Sequence, residues 1–492
     1  MTYDLVVRNA RLRTGTVIDI AVRDGKYAAL EPQVHETGKT EIGADGRLTT
    51  ESFVIAQLHL DKVLTGDWLD AEVKSEYLQG SMGGAMTTIE RAAAVKLRYV
   101  EDDILQRIRA VLELAVAAGA IHFRAFIDVD SKAQLKAIRA AIRAREEWRG
   151  RVDLQVVAFP QDGLIREPGA EDLIRQAMTL GADLVGGIPW IELTDEDMRR
   201  HIDIVFDIAK ETNRDVAMLV DDAGDPDLRT TEYFAKRAIE CGWMGRVAAC
   251  HSRAMSLYNE VYHRNVVALL KQARMGIVTN PHTGPLHVRV EDLAKQGVAL
   301  ALGGESVNDA YYPFGRCNML EVAFVCAHTL WMMSPAHQAL LYDMITVNPA
   351  EIMGLPDHRL ALGNPANFVI LQEKSVREAL TTHADPRFVV RNGQVRCEAT
   401  ITHQRDHDRP DLCRRYRLLA RASHESHFRA VIPTTSPQPE CLLVQLTQRT
   451  SPSRIMYIMT IRTKTNCLSS KHTCAVLNVR GWCESLDFGG PS

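Results

Sequence analysis

The chain of 492 residues carries 58 Lys and Arg against 62 Asp and Glu, a formal net charge of -4, with 46% hydrophobic and 24% charged residues. That balance makes no overall field to recruit nucleic acid or an anionic membrane. No run approaches the roughly 18 consecutive apolar residues of a membrane span, and the opening MTYDLVVRNARL lacks the basic start and apolar core of a secretory signal. A cytoplasmic location and small-molecule partners are expected, with the ten cysteines, none in a CxxC pair, as reduced thiols.

Residues 4 to 30 alternate like short strands, and RDGK supplies an Asp-Gly hairpin signal. From about residue 50 to about 350 the rhythm changes, and apolar strand-like runs alternate with long amphipathic helices. The strand runs are 52–59, 121–129, 153–160, 182–189, 214–220, 246–251, 275–280 and 298–304. Between them, 101–119, 133–148 and 259–274 repeat apolar residues at three and four spacing. Eight such units over about 300 residues predict a (β/α)8 TIM-type barrel. An open doubly wound sheet is the alternative, but no glycine-rich phosphate loop follows any strand.

Strand-like sequence returns at 363–372 and 387–397, the second run turning at Asn392-Gly393. The expected layout is a small β-sandwich built from both chain ends, 1–50 and 356–400, around a barrel over 51–355. Residues 401–492 form an extension, first basic and then broken by Ser, Thr and Pro, for which either a docking helix or a poorly ordered segment is expected.

Barrels of this type place their chemistry at the C-terminal ends of the strands. Gln57 and His59, two apart and so on one face of the first strand, stand there with Asp61. The later strand ends contribute Gln161 and Asp162, Asp221 and Asp222, His251, His282, then Glu305, Ser306 and Asp309. Ionisable groups gathered at one rim form the pocket a hydrolase needs. Trp190 is expected as pocket wall, Asp309 as a tie for its own loop, and Lys62 as a rim lysine with its stem packed and its ammonium in water. His122 begins the second strand, at the opposite end, and is given no chemistry.

The ordered blocks VIAQLHLDK, VVAFPQDG, GADLVGGIPW, VAACHSRAMSLYN, IVTNP and YYPFGRCNML resemble the cytosine deaminase family of the amidohydrolase superfamily, over about residues 3 to 397. The resemblance implies a barrel with one divalent metal, zinc or iron, that activates water against an amidine carbon of a cyclic base, in a homo-oligomer. Its pattern is His-x-His on strand 1, histidines on strands 5 and 6, an aspartate after strand 8, and a proton-shuttling glutamate after strand 5. Here Gln57 replaces the first histidine, Leu219 the strand 5 histidine, Glu305 the aspartate, Ser306 its neighbour and Asp222 the shuttle, while His59 and His251 are kept.

The resemblance thus implies Asp222, His251 and Glu305 as catalytic groups, His59, His251 and Glu305 as the donors left for a metal, and Gln161, Tyr311, Gln57 and Trp190 around the substrate. The expected function is hydrolysis of a non-peptide carbon–nitrogen bond in a small nitrogen-rich heterocycle. Without an ion, Asp222 or Glu305 would act as general base with His251 as partner. The alternative is a metal-free or inactive relative that serves as a binding or assembly protein.

Overall fold

The computed structural model describes residues 2–68, 93–309, 311–355 and 357–399, and beyond them only 428–433, 441–451 and 454–464. Strands β1 (Tyr3–Arg11), β2 (Val17–Arg23), β3 (Lys26–Glu31) and β4 (Gly38–Gly43) form a sheet in the order β3-β2-β1-β4. The β2–β3 turn is the Asp24-Gly25 pair, with φ of 52° and 73°. Two successive positive φ values suit a two-residue hairpin whose twist matches its strands, and Asp-Gly tolerates them. The short strand β5 (Thr49–Glu51) then leads into the barrel.

Eight parallel strands follow: β6 (Phe53–His59), β7 (Ala120–Asp128), β8 (Asp153–Phe159), β9 (Leu184–Gly187), β10 (Asp215–Val220), β11 (Val247–His251), β12 (Gly276–Thr279) and β13 (Leu300–Leu302). Each pairs with its neighbour in chain order. The ring closes where Leu58 bridges Glu305 in parallel and the His59 N–H donates to the Glu305 carbonyl at 2.8 Å. Among the described residues, six helices of 11 to 18 residues lie between these strands, α1 (Glu101–Ala117) to α6 (Glu260–Gln272). In α1, Ile104, Ile108, Val111, Leu112 and Ala115 are buried at helical spacing, and Glu101, Asp102 and Asp103 complement the helix dipole in the first turn.

Apolar residues divide by face. Phe53, Ile55 and Leu58 join the large cluster under the helices, whereas Val54, Ala56, Phe126, Phe159, Ala217, Leu219, Cys250 and Val278 fill the barrel interior. In β6 the register against β7 shifts between Ile55 and Leu58. This bulge inverts the alternation, since Ala56 faces inward and Leu58 outward. Gln57 and His59 therefore continue the inward face, and the strand that opens as core ends as site.

Strands β14 (Phe368–Ile370), β15 (Phe388–Arg391) and β16 (Gln394–Glu398) pair with β5 in the order β16-β15-β14-β5. The two four-stranded sheets share a core of Leu5, Val7, Ile20, Val22, Phe368, Ile370 and Val390. They make the sandwich of both termini, with Asn392-Gly393 as the predicted turn. Residues 401–492 form a separate unit whose described part is a three-stranded antiparallel sheet, β17 (Phe428–Pro433), β18 (Cys441–Ser451) and β19 (Arg454–Lys464). The sequence pattern predicts no strands there, and the basic stretch 403–427 lies outside the described residues. Among the described residues no helix is long and apolar enough to cross a membrane.

Candidate active site at the barrel rim

The ends of β10, β11, β12 and β13 bring four polar side chains together. His251, buried at the tip of β11, has Nδ1 3.4 Å from Asp222 Oδ1 and Nε2 3.6 Å from Glu305 Oε2. Nε2 is buried and has no hydrogen-bond partner among the described residues. Asn280, one residue past β12, donates through Nδ2 to Gln57 Oε1 at 2.8 Å and to Glu305 Oε2. His251 and Glu305 have φ of 68° and 59°. Left-handed backbone at side chains this large is strained, and strain held at a rim is a mark of function.

Asp222 is fixed in turn by Arg253, whose Nε donates to Oδ1 at 2.5 Å while its Nη1 holds the Leu286 carbonyl and its Nη2 the Thr283 hydroxyl. Its neighbour Asp221 does something else. One Asp221 oxygen accepts from the Thr230 N–H and hydroxyl and the other from the Thr231 N–H and the Tyr258 hydroxyl, at 2.6 to 3.0 Å. Both oxygens are thus spent on tying down the start of α5 (Thr230–Glu240). His282 lies near this group, edge-on to Tyr312. Burial, with Arg253 and His251 adding to it, pushes its pKa down to about 3, so it is neutral.

On the opposite side the ends of β6, β7 and β8 are ionic. Lys62 donates to both oxygens of Asp128 at 2.7 and 2.9 Å and to Gln161 Oε1 at 3.1 Å, lies 3.5 Å from His59 Nδ1, and sits 5.0 Å from the Tyr311 ring centre. Lys96 donates to Asp130 at 2.5 Å and to Asp162 at 2.8 Å, and lies 3.6 Å from Asp128. Lys132 closes the chain on Asp162 at 2.7 Å. Burial pulls the Lys62 pKa down, but Asp128 and Asp61 outweigh it and the net shift is upward. Burial and then the charge of Asp61 raise Asp128 to about 7. His59, between the rings of Phe126 and Phe159, is held well below its ordinary value by burial, then Lys62, then His251.

The structure therefore gathers Asp222, His251, Glu305 and Gln57 on one side of the rim and His59, Gln161 and Tyr311 around Lys62 on the other. Trp190 follows β9 and packs into the barrel interior, its indole N–H buried and without a partner among the described residues. Asp309 holds the Tyr311 and Tyr312 N–H groups at 2.8 and 2.6 Å, and accepts from Ser306 as well. Lys62 departs from expectation: it is only 2% exposed, because Asp128 lies under it to receive the ammonium. His122, at the other end, pairs with Asp153 at 2.9 Å. Sequence reasoning missed Asn280, Asp128, Arg253 and Lys96. The strand-end rule reaches the first two, whereas Lys96 comes from a short turn (Ala93–Arg98) with no pattern to mark it.

The resemblance implies a divalent metal, so the donors require a test. Among the described residues no group of three or more His, Cys, Asp or Glu is placed to hold an ion. His251 and Glu305 could supply two donors, but Leu219 has none and the Gln57 carbonyl is bonded to Asn280. A catalytic zinc centre takes three protein ligands and a water. The residues present do not complete it.

The amidohydrolase family matches residues 44–397, and the chain belongs to that family, whose chemistry is hydrolysis of carbon–nitrogen bonds other than peptide bonds. Within it the resemblance to cytosine deaminase-like members holds. The N-isopropylammelide isopropyl amidohydrolase of Pseudomonas sp. (strain ADP) is 28% identical over 397 residues, 80% of this chain and 97% of the relative. The pterin deaminase of Rhizobium rhizogenes (strain K84 / ATCC BAA-868) is 25% identical over 396 residues, 77% of this chain and 87% of the relative. The 5-methylcytosine deaminase of Klebsiella pneumoniae, solved with 5-fluorocytosine, superposes with a TM-score of 0.74 at 27% identity, covering 81% of this chain and 99% of that one.

Proposed function

We propose that this chain hydrolyses a carbon–nitrogen bond of a small nitrogen-rich heterocycle, by deamination or by amide or amidine hydrolysis, with Glu305 as general base and His251 and Asp222 as the proton path. One observation carries the reading: a buried imidazole stands between two carboxylates, each from a different strand end, and its Nε2 has no hydrogen-bond partner among the described residues. In the proposed cycle Glu305 takes a proton from water as the oxygen bonds to the ring carbon. The electron pair of the carbon–nitrogen double bond moves to nitrogen. Collapse of that adduct breaks the bond to the leaving amine, which receives its proton through His251.

Gln161, Tyr311, Gln57 and Trp190 are assigned to the substrate. Because Lys62 occupies the Gln161 carbonyl, Gln161 meets the ring through its NH2 and so reads an acceptor, a carbonyl oxygen or ring nitrogen. Lys62 adds positive charge beside that acceptor. The finer expectation of one zinc or iron ion on His59, His251 and Glu305 has the support of one close pair, His251 and Glu305 at 3.6 Å, and the cycle uses no ion. A homo-oligomer, carried by the resemblance alone, and a cytoplasmic location, carried by the sequence reading, complete the proposal.

The test is incubation of the full chain with aminopyrimidines and aminotriazines. Ammonia or amine should appear in step with the oxo product, and Glu305→Gln should lower kcat by about 10²–10⁴-fold with Tm unchanged. A heterocycle consumed without ammonia would mean ring opening instead. Binding without any turnover would favour the non-catalytic reading.

A further inference from the structure

We infer that the carboxamide of Asn280, clasping Gln57 and Glu305, stands in for the divalent ion, so that the rim of this barrel works without a metal. The inference rests on the hydrolase reading above. It follows from how few metal donors the rim keeps: His251 Nε2 is open and lies 3.6 Å from Glu305, but the other strand ends lack a donor or have it engaged.

Consider the strand ends in turn. At β10, Leu219 is 3% exposed among the apolar residues of the barrel interior and has no donor atom. Its acidic neighbours do not replace it: both Asp221 oxygens serve Thr230, Thr231 and Tyr258, and Asp222 Oδ1 serves Arg253. At β6, the Gln57 carbonyl receives the Asn280 amide at 2.8 Å, which leaves a buried NH2 as its free edge. That edge gives hydrogens and has no lone pair for a cation. His59 Nδ1 lies 3.5 Å from Lys62 Nζ. An ammonium has no lone pair to receive an N–H, so a neutral imidazole is favoured with its proton on Nε2, away from the Lys62 charge. After β13, Glu305 Oε2 accepts from the same Asn280 amide that holds Gln57.

The clasp has room made for it. A Cβ on Gly303 would lie 2.2 Å from Asn280 Oδ1 and 2.8 Å from Gln57 Oε1, so the amide pair fits only because that position is glycine. One carboxamide with two N–H groups thus joins β6, β12 and the end of β13, a bridging task that a metal performs through its ligands. What it cannot do is acidify water, a contribution worth several kcal/mol in metal hydrolases. The substrate must then bring its own activation: an electron-poor ring carbon, as in an oxo-substituted triazine, rather than a plain aromatic amidine.

The experiment is a metal count. The full chain, purified without chelator, is incubated with excess Zn²⁺ or, anaerobically, Fe²⁺, desalted and analysed for bound metal by mass spectrometry. Fewer than about 0.1 equivalents should remain, against about one for a site with three protein ligands, and a chelator should leave turnover unchanged. One equivalent retained by the unmodified chain would overturn the inference. The double variant Gln57→His, Leu219→His, checked for folding by circular dichroism, should gain at least tenfold in bound zinc. A folded double variant that binds no more than the parent would also overturn it, because those two positions would then not be what excludes the ion. If the metal-free chain turns over none of the rings tested, the hydrolase reading fails while the metal count stands by itself.

Discussion

The two sides of the rim are both polar and largely buried, yet they differ in how fully their polar groups are paired. Around β6, β7 and β8, the ammonium groups of Lys62, Lys96 and Lys132 each meet a carboxylate within 2.8 Å. Around β11, β12 and β13, His251 Nε2, Asn280 Oδ1 and Gln57 Nε2 are buried and unmatched among the described residues. A buried polar group left without a partner costs about 1–3 kcal/mol, so a fold that keeps several together holds them for something else. The matched side is framework that aims Lys62 and Gln161. The unmatched side, where His251 and Glu305 also carry positive φ, is where a ligand completes the hydrogen bonding.

Lys96→Met should break the framework side with the largest effect. It keeps the stem and removes the cation from Asp130, Asp162 and Asp128, so urea unfolding should show a loss of about 3–5 kcal/mol, as expected when one partner of a buried ionic group is deleted. The loss should depend on pH. Burial raises Asp128 to about 7 from an ordinary 3.8, so between about pH 4 and 7 the folded state keeps a proton that the unfolded state has released, and stability falls as pH rises. Protonation also relieves the charge that Lys96 no longer balances, and the deficit should be smaller at pH 5 than at pH 8. A loss under about 1 kcal/mol, flat with pH, would put this side on the footing of a surface ion pair.

Asp221 and Asp222, adjacent in sequence, sharpen the contrast at smaller cost. Asp221→Asn removes charge from a carboxylate that accepts four hydrogen bonds, and should cost about 1.5–3 kcal/mol of stability. Turnover per folded molecule should hold. Asp222→Asn should do the reverse, because Arg253 keeps the Leu286 carbonyl and the Thr283 hydroxyl while the proton path through His251 is cut. Measured kcat should fall tenfold or more. Equal losses of stability and turnover in both variants would erase the distinction between a committed and a reactive carboxylate at one strand end.

How far the sequence reaches differs between fold and site for a physical reason. Each strand of the barrel lies within two residues of its apolar run, because burial on both faces imposes a continuous hydrophobic signal. The strand-end rule likewise brought Asp222, His251 and Glu305 to one place. It could not show that Asp221 is fully committed to α5, since the Thr230, Thr231 and Tyr258 partners are set by loop geometry with no period. Lys62 reads as a rim lysine for the same reason: only the β6–β7 pairing reveals Asp128 beneath it. The role of Asn280 depends on Gly303 leaving space, a fact of packing and not of pattern.

Trp190→Phe, after β9, probes a further buried donor with the least disturbance. The indole N–H has no partner among the described residues, so its removal breaks no internal hydrogen bond, and the ring lies among Phe159, Ile188 and Leu219, where a phenyl group retains most of the contact. Stability should change by about 1 kcal/mol or less, the ordinary cost of a modest loss of apolar volume offset by deletion of an unsatisfied donor. If the N–H serves a ring acceptor of the substrate, KM should rise by about tenfold, the worth of one hydrogen bond at about 1.4 kcal/mol, with kcat little changed because the contact is the same before and during reaction. An unchanged KM would return Trp190 to the barrel interior as packing alone, and would shift the recognition of the ring to Gln161 and Gln57.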